Sequence, residues 1–339
     1  MTRELLTGII AALEGQASTN FAAADVNEAA ISAILKEAGL SENPTAREIR
    51  ENESRIFALI EEAVDEILPK KLENVLGQFA EVKTFARDAE VVFNIEKIGK
   101  NRAKLTVTKG ARGGIYRAAR LDSKYFSPAT SVYTAAVYVT LEELILGTIS
   151  LAELYTNILE GFQEIVYKET FNALASAAPA AGYDRIGGNS VTTAKAQLAA
   201  AIDNVLPKVK AYGTPTIFGS YDSLVNIYNQ TAHTAATYIN DQDSEDIRNY
   251  GFVQVYKGVR VVELPNYLVD NTNSEWFYDQ SYVFVIPSGA RPVKVALKGD
   301  LAIVRNTQAT GSEKWEAHKI MGVGLAMANN FAVIKVTGE

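Results

Sequence analysis

Apolar residues recur at three- and four-residue steps along the middle of the chain. Leu151, Leu154, Tyr155, Ile158, Leu159, Phe162, Ile165 and Val166 mark one stripe, and Glu153, Asn157, Glu160, Gln163, Glu164 and Lys168 fill much of the other side. That spacing is the period of one helix face. Ser150 suits the N-cap, with Glu153 three residues on as its capping-box partner. The run Ala-Ala-Pro-Ala-Ala-Gly after Ser176 stops the element. The pattern predicts a helix of roughly 27 residues, about 40 Å long at the usual rise per residue. Such a rod suits a wide, thin body, and it also suits the core of an ordinary mixed α/β domain.

The N-terminal 43 residues read as a loosely attached arm. Leu5, Leu6, Ile9, Ile10 and Leu13 suggest one short amphipathic helix, and Asp25 to Ala38 a second that stops at Gly39. Asn43-Pro44-Thr45 opens a stronger helix, since proline fits a first helical position. Its apolar stripe (Ile56, Leu59, Ile60, Val64, Ile67, Leu68) runs up to Pro69, where the pattern predicts a stop. A short helix, Lys71 to Phe79, follows.

The character changes at Glu81. VKTFARDAEVVFNIE, RAKLTVTK and GIYRAARL read as extended segments joined by turns at Gly99-Lys100-Asn101 and at Lys109 to Gly114. They are rich in charge and poor in apolar groups. Two or three such strands cannot build a core alone, so they must protrude or lie across something else. The turn residues Lys109, Gly110, Arg112, Gly113, Gly114 and Arg117 are the candidate contact with a neighbouring molecule. Their glycines and arginines could also receive an anion. They lack the spacing of either glycine-rich phosphate motif, GxxxxGK[ST] or GxGxxG.

Ser127 to Leu141 alternates as a strand and leads through a short helix, LEELILG, into the long one. Beyond it, Thr192 to Tyr212 reads as a helix bent at Pro207, TPTIFGS as a buried strand, and Tyr221 to His233 as a helix. Asn249 to Val262 reads as a hairpin around Lys257-Gly258, and Trp276 to Pro287 as an aromatic-rich strand. Val293 to Val304 reads as a hairpin turning at Lys298-Gly299-Asp300. The tail, Lys314 to Val336, reads as two strands that need earlier partners, and Ser131 to Val139 is the natural one. Gly322 and Gly324 mark a bulge or a close backbone approach. The body around the long helix is therefore discontinuous, with an α/β domain inserted.

Composition narrows the chemistry. There is no cysteine, which removes disulfides, thiolate metal sites and cysteine nucleophiles. The two histidines, His233 and His318, lie far apart and lack metal-ligand spacing. A net charge of −7 gives no general attraction to nucleic acid. The N-terminus is a poor signal peptide, and no run reaches the roughly 18 apolar residues of a membrane span. Carboxylates and tyrosines are plentiful enough for a glycosidase-type pair, but no spacing points to one. Neither GxSxG, HExxH nor a P-loop is present.

The ordered plan is an N-terminal helical arm, a charged hairpin, a strand into a long helix, an inserted α/β domain and a closing pair of strands. It resembles the major capsid protein of tailed bacteriophages, the Hong Kong 97-type fold. The stretches TPTIFGSYDSLVNIYN, YKGVRVVELPN, YVFVIPSG, VKVALKGDLAIVRN and HKIMGVGLAMANNFAVIKV carry the likeness. The resemblance implies an α+β class with an arm and helices at 1–80 and an E-loop hairpin at 81–122. It implies a P-domain with its spine helix at 123–190 and 307–339, and an A-domain at 191–306. It also implies a subunit without enzyme activity or cofactor that assembles with itself, through pentamers and hexamers, into an icosahedral shell. The shell encloses double-stranded DNA without sequence-specific binding and touches no membrane. Scaffold, portal and decoration proteins are its expected partners, and the virion its location after assembly in the host cytoplasm. Some members crosslink an E-loop lysine to a neighbour's asparagine. Lys109 lies near the candidate tip, and Asn329 and Asn330 in the closing strands. The buried carboxylate such a bond needs has no counterpart here, so the crosslink is not carried over. Encapsulins, bacterial compartments that enclose cargo protein, look like the same fold and form the alternative.

Overall fold

A computed structural model describes residues 39, 48, 51–95, 124–139, 151–177, 191–228, 241–289, 291–307, 313–326 and 331–337. The short helices expected before Asn43, the helix LEELILG, His233 and all six candidate turn residues lie outside these.

Helix α1 spans Glu53–Leu76 with Asn52 at its N-cap. The stop expected at Pro69 does not occur, because the helix runs through it. Proline in a helix interior costs about 3 kcal/mol. Here Leu68, Leu72 and Leu76 are almost fully buried on both sides of it, which holds the two halves on one axis. The long helix, α2, spans Leu151–Ala175, within two residues of its expected ends. Ile158, Leu159, Phe162, Val166 and Leu174 on its stripe are buried.

Both helices cover one face of a four-stranded sheet. Its strands are β1 (Ala80–Phe85), β10 (Val293–Thr307), β11 (Glu313–Leu325) and β4 (Ser131–Val139), in that order across the sheet. Val293, Val295, Leu297, Leu301, Ala317 and Met321 join the helical core from the covered face. The expected pairing of the tail with Ser131–Val139 is present, antiparallel, with Ala317 opposite Ala135. Residues 81–85 stand in this sheet, parallel to β10, rather than in the hairpin. Their partners lie more than 200 residues away in the sequence.

Two expectations fail at β10. Val293–Thr307 is one strand, not a hairpin, and it belongs to this sheet rather than to the inserted domain. The Lys-Gly-Asp sequence makes a bulge between Lys298 and Ala302, with Gly299 at φ +68. Where β1 ends, the N–H groups of Leu301 and Ile303 lose a strand partner. The Asp65 and Glu61 carboxylates of α1 accept them instead, at 2.7 and 2.5 Å. The buried Lys319 ammonium completes the join by donating to Asp65 and to the Gly299 carbonyl, both at 2.5 Å.

A second sheet runs β5 (Val191–Ala194), β12 (Ala332–Thr337), β9 (Tyr282–Pro287), β6 (Pro215–Gly219), β8 (Val259–Glu263) and β7 (Val255–Tyr256). Helix α3 (Leu198–Lys210) packs on one face. The α1–α2 core packs on the other, where it meets Phe218, Phe284, Ile286 and Val333. Alternate residues of β9 therefore enter different cores, which explains its unbroken apolar run. β12 was expected beside the long helix, yet it lies between β5 and β9. Ala332 and Ile334 face one core and Val333 the other, so the strand needs burial on both sides. Thr192 to Tyr212, expected as one helix, divides into β5, a 3₁₀ turn at Lys195–Gln197 and α3. The expected Tyr221 helix is a short α4 (Tyr221–Val225) continued by a 3₁₀ turn. Helix α5 (Asp241–Tyr250) leads to β7. The β7–β8 hairpin turns at Lys257 and Gly258, both with positive φ as a type I′ turn requires.

On β1, Glu81 is bonded by Lys294 and by Lys83. Burial pushes its carboxyl up, but the two ammonium groups outweigh burial and hold it below the usual range. A carboxyl depressed in the folded state stabilises the fold above its unfolded value and loses that contribution as pH falls. Stability in urea is therefore expected to drop more steeply from pH 5 to pH 3 in the wild-type chain than in Glu81→Gln. Parallel curves would remove the role assigned to this pair.

Candidate assembly surface

The other face of the four-stranded sheet carries the root of the charged hairpin. β2 (Phe93–Ile95) and β3 (Lys124–Phe126) pair antiparallel, with Phe93 opposite Phe126. This ribbon cannot bury its apolar groups within itself. Phe93 and Val91 pack on Ala296 of β10 and on Phe85 instead. The ring of Phe93 meets Phe85 edge-on at 5.4 Å, and the Lys83 ammonium stands 5.4 Å from it. The two glycines of β11 allow this approach. A Cβ on Gly322 would lie 2.6 Å from the Ala129 carbonyl oxygen, and one on Gly324 would lie 2.8 Å from the Phe126 ring. Close backbone approach, one of the two roles expected for them, is what both provide. Lys109, Gly110, Arg112, Gly113, Gly114 and Arg117, as residues outside the described set, have no assigned place in this geometry.

Beyond the root, no other described strand or helix covers this face. Val132 and Val304 are 62% and 50% exposed, and Tyr125 of the root is 66% exposed. His318 lies in the same row. Its Nδ1 shares a 2.9 Å hydrogen bond with the Thr134 hydroxyl, and its Nε2 lies 3.6 Å from Glu316. It is a paired sheet residue, as its isolation in the sequence suggested. Among the described residues no group of three or more His, Asp or Glu could hold a metal ion. No described helix is long and apolar enough to cross a membrane.

A second surface had no signal in the sequence. Between β8 and β9 the chain forms a tightly bonded arm, residues 264–278. The Phe277 N–H donates to the Tyr267 carbonyl at 2.9 Å and the Val269 N–H to that of Glu275 at 2.9 Å. The Tyr278 hydroxyl donates to Leu264 at 2.6 Å. At the tip, Asp270 accepts from the N–H groups of Ser274 and Glu275 and from the hydroxyls of Thr272 and Ser274. Those bonds, led by the Thr272 hydroxyl, hold its carboxyl far below the usual range. Asn273 takes the left-handed conformation that asparagine tolerates.

This arm exposes Tyr267, Val269 and Trp276, each near half. A braced loop that shows aromatic side chains loses little freedom on docking, which is how interface anchors work. Against α2 the arm forms a groove of about 390 Å³ lined by Glu160, Gln163, Glu164, Tyr167, Phe171, Pro265, Tyr267 and Phe277. Tyr267 and Phe277 stack at 4.7 Å, and the Tyr267 hydroxyl donates to Glu164 at 2.5 Å. Burial, then the Glu164 carboxylate, push that hydroxyl upward, so it remains a donor. Burial pushes Tyr167 up to about 12. Lys71 of α1 stands near Glu160; burial lowers its ammonium and Glu160 partly restores it.

Residues 5–335 match the model of a family described as "SPbeta prophage-derived putative capsid protein YonB". No curated protein matches the chain. Among solved structures, a chain of the satellite phage P4 procapsid that includes the size determination (Sid) protein aligns with a TM-score of 0.53 at 10% identity, over 82% of this chain and 91% of that one. A chain of the bacteriophage PhiM1 mature capsid aligns with a TM-score of 0.49 at 13% identity, over 77% and 86%. At such identities the P4 likeness concerns the fold, and it agrees with the Hong Kong 97-type architecture read from the sequence.

Proposed function

We infer the function from one premise: this chain belongs to the family of the SPbeta prophage-derived capsid protein YonB. It is a phage major capsid protein, structural rather than catalytic, and its place is the virion. We propose that copies assemble through pentamers and hexamers into an icosahedral shell around double-stranded DNA, put together in the host cytoplasm. Each contact in such a shell is modest, and closure multiplies them. The observation that carries the reading is the family match along residues 5–335.

The parts take roles on this reading. α1, α2 and the four-stranded sheet form the P-domain, with α2 as its spine. The six-stranded sheet with α3 forms the A-domain. The ribbon rooted at Phe93 and Phe126 is the E-loop, and its tip, from Lys109 to Arg117, reaches a neighbouring subunit. Scaffold, portal and decoration proteins are the further partners this role calls for. The family's prophage origin favours DNA over cargo protein as the contents.

Electron microscopy of the purified protein tests the reading. Discrete hollow spheres are expected, and particles recovered from phage-producing cells should contain nuclease-protected DNA. A monodisperse monomer under every salt and pH condition would overturn the shell, and particles filled with protein would favour the encapsulin alternative.

A further inference from the structure

We propose that the pocket between residues 274–281 and the end of the six-stranded sheet is a carbohydrate site, built for a sugar without negative charge. The pocket belongs to a single subunit, so the proposal does not rest on the shell reading.

Strand direction places it. β5 runs parallel to β12, and β9 runs antiparallel to both β12 and β6, so β5, β12 and β6 point the same way. Their carboxyl ends meet the start of β9 at one end of the sheet. The crevice outside such ends is where open α/β sheets receive ligands. Lys195 follows β5, Val336 lies in the last turn of β12, Asp222 follows β6 and Asp279 leads into β9. With Trp276 they border a pocket of about 570 Å³. Sites for small molecules run from about 300 to 1,000 Å³, so a short saccharide has room.

The pocket is braced before anything enters it. The hydroxyls of Ser220 and Ser223, both almost fully buried, donate to the Gln280 carbonyl at 2.9 and 2.5 Å. The Val336 N–H donates to the Ser281 carbonyl at 2.7 Å. On the arm, a backbone bridge ties Trp276 to Leu268, and Asp270 holds the N–H groups of Ser274 and Glu275. A ligand that enters therefore orders little of the protein, which is the saving of a preformed site.

The walls select the ligand. Lys195, Asp222, Glu275 and Asp279 set one ammonium against three carboxylates, a net of −2, which repels an anion. An apolar occupant would take water from these groups and give nothing back. A sugar ring answers both conditions. Its C–H face carries a slight positive charge that settles on an indole face, and Trp276 is 46% exposed. Its hydroxyls both donate and accept. Lys195 pairs with Asp222 at 3.0 Å and Asp279 accepts the Ser281 N–H at 2.9 Å, yet each carboxylate keeps lone pairs for further donors.

The chain has two tryptophans, Trp276 and Trp315, so Trp315→Phe leaves Trp276 as the sole reporter. Titrating that subunit with maltose, lactose, mannobiose, chitobiose and the glucosamine dimer is expected to shift the Trp276 emission to the blue with at least one, saturably and in the millimolar range. A galacturonic acid dimer should leave the emission unchanged. Adding Asp279→Asn should weaken the binding about tenfold, as the loss of one charged hydrogen bond does. Its midpoint of unfolding in urea should stay in place, which separates lost recognition from lost folding. By calorimetry, Trp276→Ala in the otherwise unaltered chain should show no heat of binding with the same sugar. No shift with any of the five sugars at about 50 mM, weaker than any useful single-site affinity, would overturn the proposal. So would a shift with galacturonic acid as large as with the others, or a shift with spermidine alone, which would make the pocket a seat for organic cations.

Discussion

Asp65→Ala is expected to lower the stability of the unassembled subunit by about 3 kcal/mol, the largest loss from any single exposed or half-buried carboxylate described. Asp65 accepts the Leu301 N–H at 2.7 Å and the Lys319 ammonium at 2.5 Å. The side chain of Lys319 is only 5% exposed. Removing the carboxylate strands a buried cation and an amide that the bulge has already parted from any strand. Breaking one side of a buried pair typically costs about 3–5 kcal/mol. The 20% exposure of Asp65 argues for the lower end. In thermal unfolding this becomes a fall of about 6 °C or more at some 2–4 °C per kcal/mol. A fall under about 2 °C would show that the join is ornamental. Asp65→Leu combined with Lys319→Met should recover part of the loss, because no charge then remains buried. It should not recover all of it, because the Leu301 N–H and Gly299 carbonyl still lack partners.

Gly322→Ala is expected to abolish particle formation while leaving the subunit folded. The added Cβ would fall 2.6 Å from the Ala129 carbonyl oxygen and 3.0 Å from Thr130. The obstacle is backbone, so no change of rotamer relieves it. Either β11 moves, at about 1–3 kcal/mol for overpacking, or residues 128–130 lift away and carry the ribbon root with them. The second course shifts Phe93 and Phe126 off their seat and misdirects every contact the ribbon makes. Particle yield should fall by more than tenfold while the far-UV circular dichroism is kept. Gly161→Ala is the control. It lies in α2 with nothing within 4 Å of its Cβ position, so it should assemble normally and gain up to about 1 kcal/mol. Normal particles from Gly322→Ala would detach the ribbon's root from shell formation.

What the sequence disclosed and what it hid divide along a physical line. The period of α2, the Lys257-Gly258 turn and the pairing of β11 with Ser131–Val139 were legible because each is written in neighbouring residues or in a clear alternation. β1 was misplaced because its charges look the same in a free ribbon as in an edge strand, and parallel partners far along the chain leave no local mark. Lys-Gly-Asp at 298–300 reads as a reversal, yet two carboxylates from α1 make a bulge the better solution. A signal existed in Glu61 and Asp65, four apart and set among Ile60, Val64, Ile67 and Leu68. Acids on the inner stripe of a helix call for buried donors. The groove at Glu164 and Tyr267 joins residues 103 apart in sequence, and no spacing rule reaches that far.

The position of β12 bears on the order in which the fold can close. The strand nearest the C-terminal end of this sequence lies inside its sheet, flanked by β5 and β9, and the Thr337 hydroxyl reaches the Thr193 carbonyl across 144 residues. A nascent chain that has not yet delivered Ala332–Thr337 leaves both neighbours as open edges and two hydrophobic layers unsealed. A chain cut before Ala332 is therefore expected to leave β5 unpaired and β9 open on that side at the same time, and the second sheet closes only when the residues of β12 are present.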